Sequence, residues 1–273
     1  MSRSLRIIRT GLLCLLPWVC LPGSAAGQQA GDVAPSDATI WYLGHCGYAI
    51  QTENHLLIFD YIELEEDVPA RMGLDRGFID ASQLKDLNVT VFVTHEHSDH
   101  FDEVILGWQE EIESIEYVFG WQAMDGPGYH NLPPPRKVLN LGDMWIWTVN
   151  SHHSGVPEAA FLVQVDGLTI YHGGDYQGRM GRNAPSNVDA DMASLNEITD
   201  EVDLLFIGAW TGEPYMKTIR ALNPRAIFPM HSRNREEEYR QFATDLAELG
   251  VEVPVHCPAK RGDSFVFDGG ALY

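Results

Sequence analysis

Positive charge is scarce in this chain. Among its 273 residues, 18 are lysine or arginine against 39 aspartates and glutamates, a formal net charge of −21. That balance excludes nucleic acid as the main partner, because phosphate binding needs a basic footprint. It also works against docking on anionic lipid. Cysteine is scarce as well. Four residues (Cys14, Cys20, Cys46 and Cys257) build no disulfide framework. Apolar runs long enough to span a bilayer do not occur after the first residues, and no internal repeat or low-complexity block breaks the sequence.

Three of the few arginines, Arg3, Arg6 and Arg9, open the chain. An apolar run from Gly11 to Leu21 follows, then the small residues Ser24, Ala25 and Ala26. This is the layout of a secretory signal peptide. The run is short for a membrane anchor and contains Pro17. Residues 1–26 are therefore expected to be a signal peptide, 27–37 a small-polar linker and 38–273 one folded domain. The mature protein would be secreted or periplasmic, with no stable membrane insertion. Cleavage near Ala26 removes three arginines and no acid, which moves the charge to about −24. It leaves Cys46 and Cys257, expected as buried thiols, although an oxidising compartment would permit a bridge.

From residue 39 onward, short β-rich runs recur: Thr39 to Leu43, Tyr48 to Thr52, Leu56 to Tyr61, Val89 to Val93 and Ile115 to Phe119. Met144 to Val149, Ala160 to Val165 and Leu168 to Tyr171 form a second group, the last two joined by the turn pair Asp166-Gly167. Val202 to Ile207, Arg225 to Phe228, Val251 to Val255 and Ser264 to Phe267 complete the strand signals. Helical character is expected at Phe101 to Glu113 and Arg235 to Leu249. Ile62 to Lys85 reads as an acidic surface excursion, and the stretch from Gln177 as a loop. Strands in two groups, each followed by helices, imply two sheets packed face to face with helices outside.

The chemistry concentrates in Thr94-His95-Glu96-His97-Ser98-Asp99-His100, directly after the apolar run Val89 to Val93. In extended chain, alternate side chains share a face, so His95 and His97 converge. Two imidazoles at that spacing suit zinc or a similar borderline metal. The chain then turns, presenting Asp99 and His100 to a neighbouring point where a second metal would fit.

Thr-His-x-His-x-Asp-His resembles the signature of the metallo-β-lactamase superfamily, and further landmarks follow in that family's order. The resemblance implies an α/β fold, a four-layer αββα sandwich, and a hydrolase holding two divalent metal ions. Zinc comes first among these, with manganese or iron also tolerated. The first metal would take His95, His97 and a histidine of Ser151-His152-His153-Ser154. His153 is preferred there over His152. The second would take Asp99, His100 and His231, and Asp175 would bridge both. A hydroxide between the metals would attack a small ester, lactone or phosphoester, with Asp99 orienting water or passing a proton. No serine nucleophile is required, so Ser98 and Ser154 read as supporting groups.

His45, in Leu43-Gly44-His45-Cys46-Gly47, sits in a glycine-flanked turn. Similar turns open the ascorbate-phosphate lactonase branch, which this chain most resembles, and they place His45 near the pocket as a catalytic group at substrate or a support behind it, with a structural histidine the equal alternative. Asp60 reads equally as a support for a ligand histidine or a turn carboxylate, and His172 as a supporting group. Trp210 and Tyr215 are candidates for substrate contact, and Arg179 and Arg182 for anion binding. His55, His130 and His256 read as structural. Two other readings stand beside the lactonase-type hydrolase: a β-lactamase-like amide hydrolase, and a metal-bound binding protein without turnover. The partner in each is a small molecule.

Overall fold

The computed structural model describes residues 37–63, 68–178 and 187–269. The expected signal peptide, nearly all of the linker, and Arg179 and Arg182 lie outside the described residues.

Thirteen strands form two mixed sheets among the described residues. The first sheet contains β1 (Asp37–Gly44), β2 (Gly47–Gln51), β3 (Leu56–Phe59), β4 (Asn88–Val93), β5 (Ser114–Phe119) and β6 (Tyr129–Asn131) in sequence order, with β13 (Ser264–Asp268) outside β1. The second runs β12 (Ala226–Met230), β11 (Leu204–Gly208), β10 (Leu168–His172), β9 (Val156–Val165), β8 (Trp145–His153) and β7 (Val138–Asn140). β3 to β6 are parallel to one another, as are β10 to β12.

The period-two pattern of side chains explains why both sheets bury two faces. On β4, Phe92 points between the sheets, where it stacks on Phe59 at 4.5 Å. Val91 and Val93 point the other way, into an outer cluster with Ile79, Ile105 and Trp108. On the second sheet, Phe161, Phe206 and Phe228 face inward, while Leu162, Leu205 and Ile227 meet helices α1 (Val188–Asn196), α2 (Glu213–Leu222) and α3 (Glu237–Glu248). The α/β sandwich is therefore present, with one difference in its outer layers. Three α-helices cover the second sheet, whereas 3-10 turns at Leu74–Arg76, Ala81–Gln83 and Glu103–Glu110 cover the first.

Several expectations need correction. Phe101 to Glu113 forms a 3-10 segment rather than an α-helix; Asp102 caps it by accepting from Val104 N. Ile62 to Lys85 is more than a surface excursion, because Phe78, Ile79, Ala81 and Leu84 are buried against the first sheet. Val251 to Val255 makes one isolated bridge, Ile227 to Val255, instead of a strand. The loop expected beyond Gln177 contains α1, and α2 was not expected at all.

Two hairpin turns meet at one end of the sandwich. Asp166 and Gly167, with φ of 48° and 77°, turn β9 into β10. The Asp166 carboxylate accepts from Thr52 Oγ1 (2.6 Å), Asn54 N (2.8 Å) and Asn54 Nδ2 (2.9 Å) in the β2–β3 turn. These bonds outweigh partial burial and hold the Asp166 carboxyl down at about 2.

Candidate metal centre

The opposite end of the sandwich gathers the chemistry. β4 ends before Thr94-His95, β8 ends on His153, β10 ends before Asp175 and β12 ends before His231. Strand C-terminal ends, held by the sheet's hydrogen bonds, are rigid supports for convergent side chains.

His95, His97 and His153 bring one ring nitrogen each within 4.8 Å of one another. His152 does not join them. Replacing His153 with Ala is expected to lower bound metal, while His152→Ala leaves it near the wild-type level. Metal analysis on the two purified variants checks this, and the reverse result would reassign the ligand.

A second set contains His45, Asp99, His100 and His231, again within 4.8 Å. His45 needs separate treatment. The Arg233 backbone N–H donates to His45 Nδ1 at 3.2 Å. That bond requires a lone pair on Nδ1, so the ring hydrogen sits on Nε2. Nε2 faces Asp99 Oδ2 at 3.4 Å. His45 Nε2 thus lies beside Asp99 without a hydrogen bond, and with Nδ1 engaged by Arg233 N the expected donors of that set are Asp99, His100 and His231. The His45 contact is the main influence keeping Asp99 well below the ordinary carboxylate range, against its partial burial.

Asp175 stands between the two sets. Its Oδ2 is 3.2 Å from His153 Nε2 and 3.3 Å from His231 Nε2, and its Oδ1 is 3.5 Å from His100 Nε2. Gly174, at φ 52°, permits this approach; a Cβ there would lie 2.8 Å from the Thr94 side chain.

The donor set fits a metal on independent grounds. Buried polar atoms normally find partners, yet His95 Nε2 and Asp175 Oδ1 are buried without a hydrogen bond. Each such atom costs about 1–3 kcal/mol unless something satisfies it. Burial, with His100 close by, drives the His95 imidazole down to about 3, so it stays in the neutral form that binds cations. Asp175 is held ionised although burial opposes it, because His100 and His231 face it.

Behind these groups lies a layer of buried supports. Asp60 accepts from His100 Nδ1 (2.7 Å), Thr94 N (2.8 Å) and Thr94 Oγ1 (2.8 Å), which turns His100 Nε2 toward Asp175. The sequence left this role open, and the geometry places Asp60 behind a ligand candidate, as metal-site carboxylates commonly are. His172 Nε2 donates to Cys46 O at 3.0 Å and fixes the His45 turn. Glu158 was missed entirely. It is fully buried, accepting from Asp175 N and Ser151 Oγ, both at 2.7 Å. Burial and the neighbouring Asp175 charge push its carboxyl well above the usual range. The available signal was an acid inside the apolar run Val156 to Val165. Cys46 was read only as a buried thiol, yet its Sγ lies 3.9 Å from His100 Nε2. Trp210 packs on His231 with ring centres 4.6 Å apart.

His97, Asp99 and His153 form the floor of a cavity of about 450 Å³, a size suited to a small molecule. Arg233 and Arg261 stand in its wall. Arg233 extends from a loop in which His231, Arg233 and Asn234 all have positive φ (71°, 51° and 61°). Such strain persists only where the surrounding structure enforces it.

The Beta-lactamase superfamily domain matches residues 39–231, and the chain belongs to that family. It is similar to a UPF0173 metal-dependent hydrolase of Thermococcus kodakarensis, 24% identical over 248 residues that cover 78% of this chain and 95% of the relative. A UPF0173 metal-dependent hydrolase of Methanosarcina mazei is 25% identical over 249 residues, covering 82% and 98%. A novel metallo hydrolase from Ignicoccus hospitalis, Igni18, shares the fold with a TM-score of 0.56 at 15% identity, covering 85% of this chain and 98% of that one. The lactonase branch is not singled out by these relatives.

Proposed function

We propose that this protein is a metal-dependent hydrolase with a paired metal centre, acting on a small ester, lactone or phosphoester that carries an anionic group. The observation that carries the reading is the pair of donor sets joined by Asp175, of which His97, His153 and Asp99 line one small-molecule cavity. His95, His97 and His153 would hold one ion, and Asp99, His100 and His231 the other. When bound, such a pair acidifies water and polarises the oxygen under attack.

The chain's own groups would do the rest. Arg233 and Arg261 in the wall favour an anionic substrate despite the acidic surface, whose field is screened beyond about 8–10 Å. His45, with Nδ1 committed to Arg233 N, holds Asp99 in place and ionised. Asp99, faced by both His45 Nε2 and Arg233 Nη2, would stay a carboxylate and orient an attacking water. Trp210 packs on His231 and, 5.1 Å away, on Tyr215, so both rings stand beside the second donor set.

Export belongs to the same proposal; the arginines, apolar run and small residues at the start of the chain support it. The test uses protein from fractionated cells, stripped with chelator and reloaded with zinc, manganese or iron. Chromogenic esters, lactones and phosphodiesters then serve as substrates. Turnover is expected in the extracytoplasmic fraction, lost on chelation, restored by metal and faster for anionic members. Full metal loading without turnover of any member would overturn catalysis in favour of metal-bound ligand binding.

A further inference from the structure

The turn that carries His45 also carries the least expected donor in the molecule. Gly44 and His45 both have positive φ (94° and 49°), and this reversal aims Cys46 inward between the sheets. His172 locks the turn through the Cys46 carbonyl, and His231 N donates to His45 O at 3.1 Å. The Cys46 side chain is fully buried. Its Sγ, a ring nitrogen of His100 and a carboxylate oxygen of Asp175 lie within 4.8 Å of one another. Asp175 Oδ1 is the second pointer, since it is buried in this group without a hydrogen bond. Cys257 differs, because its Sγ donates to Tyr239 O at 3.2 Å.

We propose that Cys46 is a thiolate ligand, joining His100 and Asp175 on the second metal ion. The proposal rests on the paired-metal reading above and adds a sulfur donor to it. Binding breaks the S–H bond, forms a sulfur–metal bond and releases the proton to solvent; no electrons are transferred. The chemical consequence is selectivity. A soft thiolate favours zinc or cobalt at this position over manganese or magnesium, which prefer oxygen donors.

The experiment loads full-length protein with Co(II) and records its absorption. Wild type and Cys257→Ser are expected to show a thiolate-to-cobalt charge-transfer band in the near ultraviolet. Cys46→Ser and Cys46→Ala should lack it. In both Cys46 variants, affinity for the second equivalent of cobalt should fall at least about tenfold while the first is retained. Circular dichroism reports whether the variants fold. If either does not, the band in a variant with Cys14, Cys20 and Cys257 all changed to Ser still decides, because Cys46 is then its sole thiol. Two bound cobalt ions with no charge-transfer band would overturn the thiolate alone. A band that survives in Cys46→Ser would place it on another group. Failure of wild type to bind cobalt would overturn the paired-metal reading as well.

Discussion

Asp175→Ala is expected to bind less than the wild-type complement of metal and to lose roughly 10³-fold in kcat/KM, about 4 kcal/mol of transition-state stabilisation. The reason is position. Asp175 touches His153 in one donor set and His100 and His231 in the other, at 3.2, 3.5 and 3.3 Å. Removing it takes a negative charge from between the sites where two cations would repel each other. It also leaves three imidazoles without their shared partner. Metal analysis and steady-state kinetics of the same preparation check the prediction. A variant that keeps two metals and more than a tenth of its turnover would show that Asp175 does not join the sites.

Asp60→Ala should have the largest effect on stability. Asp60 is fully buried and accepts three hydrogen bonds, from His100 Nδ1, Thr94 N and Thr94 Oγ1. Removing the acceptor leaves Thr94 N without its partner and His100 Nδ1 with only the longer contact to Thr94 Oγ1 at 3.3 Å, which costs about 3–5 kcal/mol by analogy with broken buried pairs. For a domain of this size, that lowers Tm by roughly 6–20 degrees. Affinity for the second metal should fall about 10–100-fold, because His100 is no longer oriented. The pH dependence has a definite sign. Burial opposes ionisation of Asp60, but His100 beside it holds the folded-state carboxyl below its unfolded value. Its contribution is therefore present above about pH 4, the unfolded value, and is lost as pH falls through the lower folded value. The Tm gap between chelated wild type and variant should hold near neutrality and narrow on acidification. A gap of one or two degrees at pH 7 would remove Asp60 from this role.

The contrast between these two residues shows what the sequence can and cannot reveal. His95, His97, Asp99 and His100 were legible because all lie in one short segment, where local geometry alone makes them converge. His153, Asp175 and His231 are distant in sequence, and a family resemblance was needed to connect them. Asp60 was half legible, as a carboxylate at the end of a strand. Glu158 and Cys46 were not read as part of the centre, because a single acid or thiol in an apolar stretch carries no spacing pattern. Their significance arises when β9 and the β1–β2 turn pack beneath the centre.

The fold divides the same way. Strands buried on both faces, such as β4, announce themselves through continuous apolar runs. β6 and β7, at three residues each, are too short to show a period. α2 follows an N-cap at Gly212 and has Pro214 in its first turn, which reads as a loop until the helix's apolar face meets β11. The 3-10 segment at Glu103–Glu110 has helical spacing, and the sequence does not distinguish it from an α-helix.

The Asp166 carboxylate at the far end of the sandwich acquires a different meaning beside the metal centre. His95, His97, Asp99 and His100 belong to one sheet, and His153, Asp175 and His231 to the other. Ions bound among them would stitch the two sheets together at the mouth, while Asp166 buttons them at the base through Thr52 and Asn54. The two fastenings yield to different reagents. A chelator would undo the mouth if metal closes it, whereas the base resists acid until protons reach a carboxyl held at about 2. The protein is thus built like a purse with a riveted bottom and a removable clasp, opening at the end where a substrate would enter.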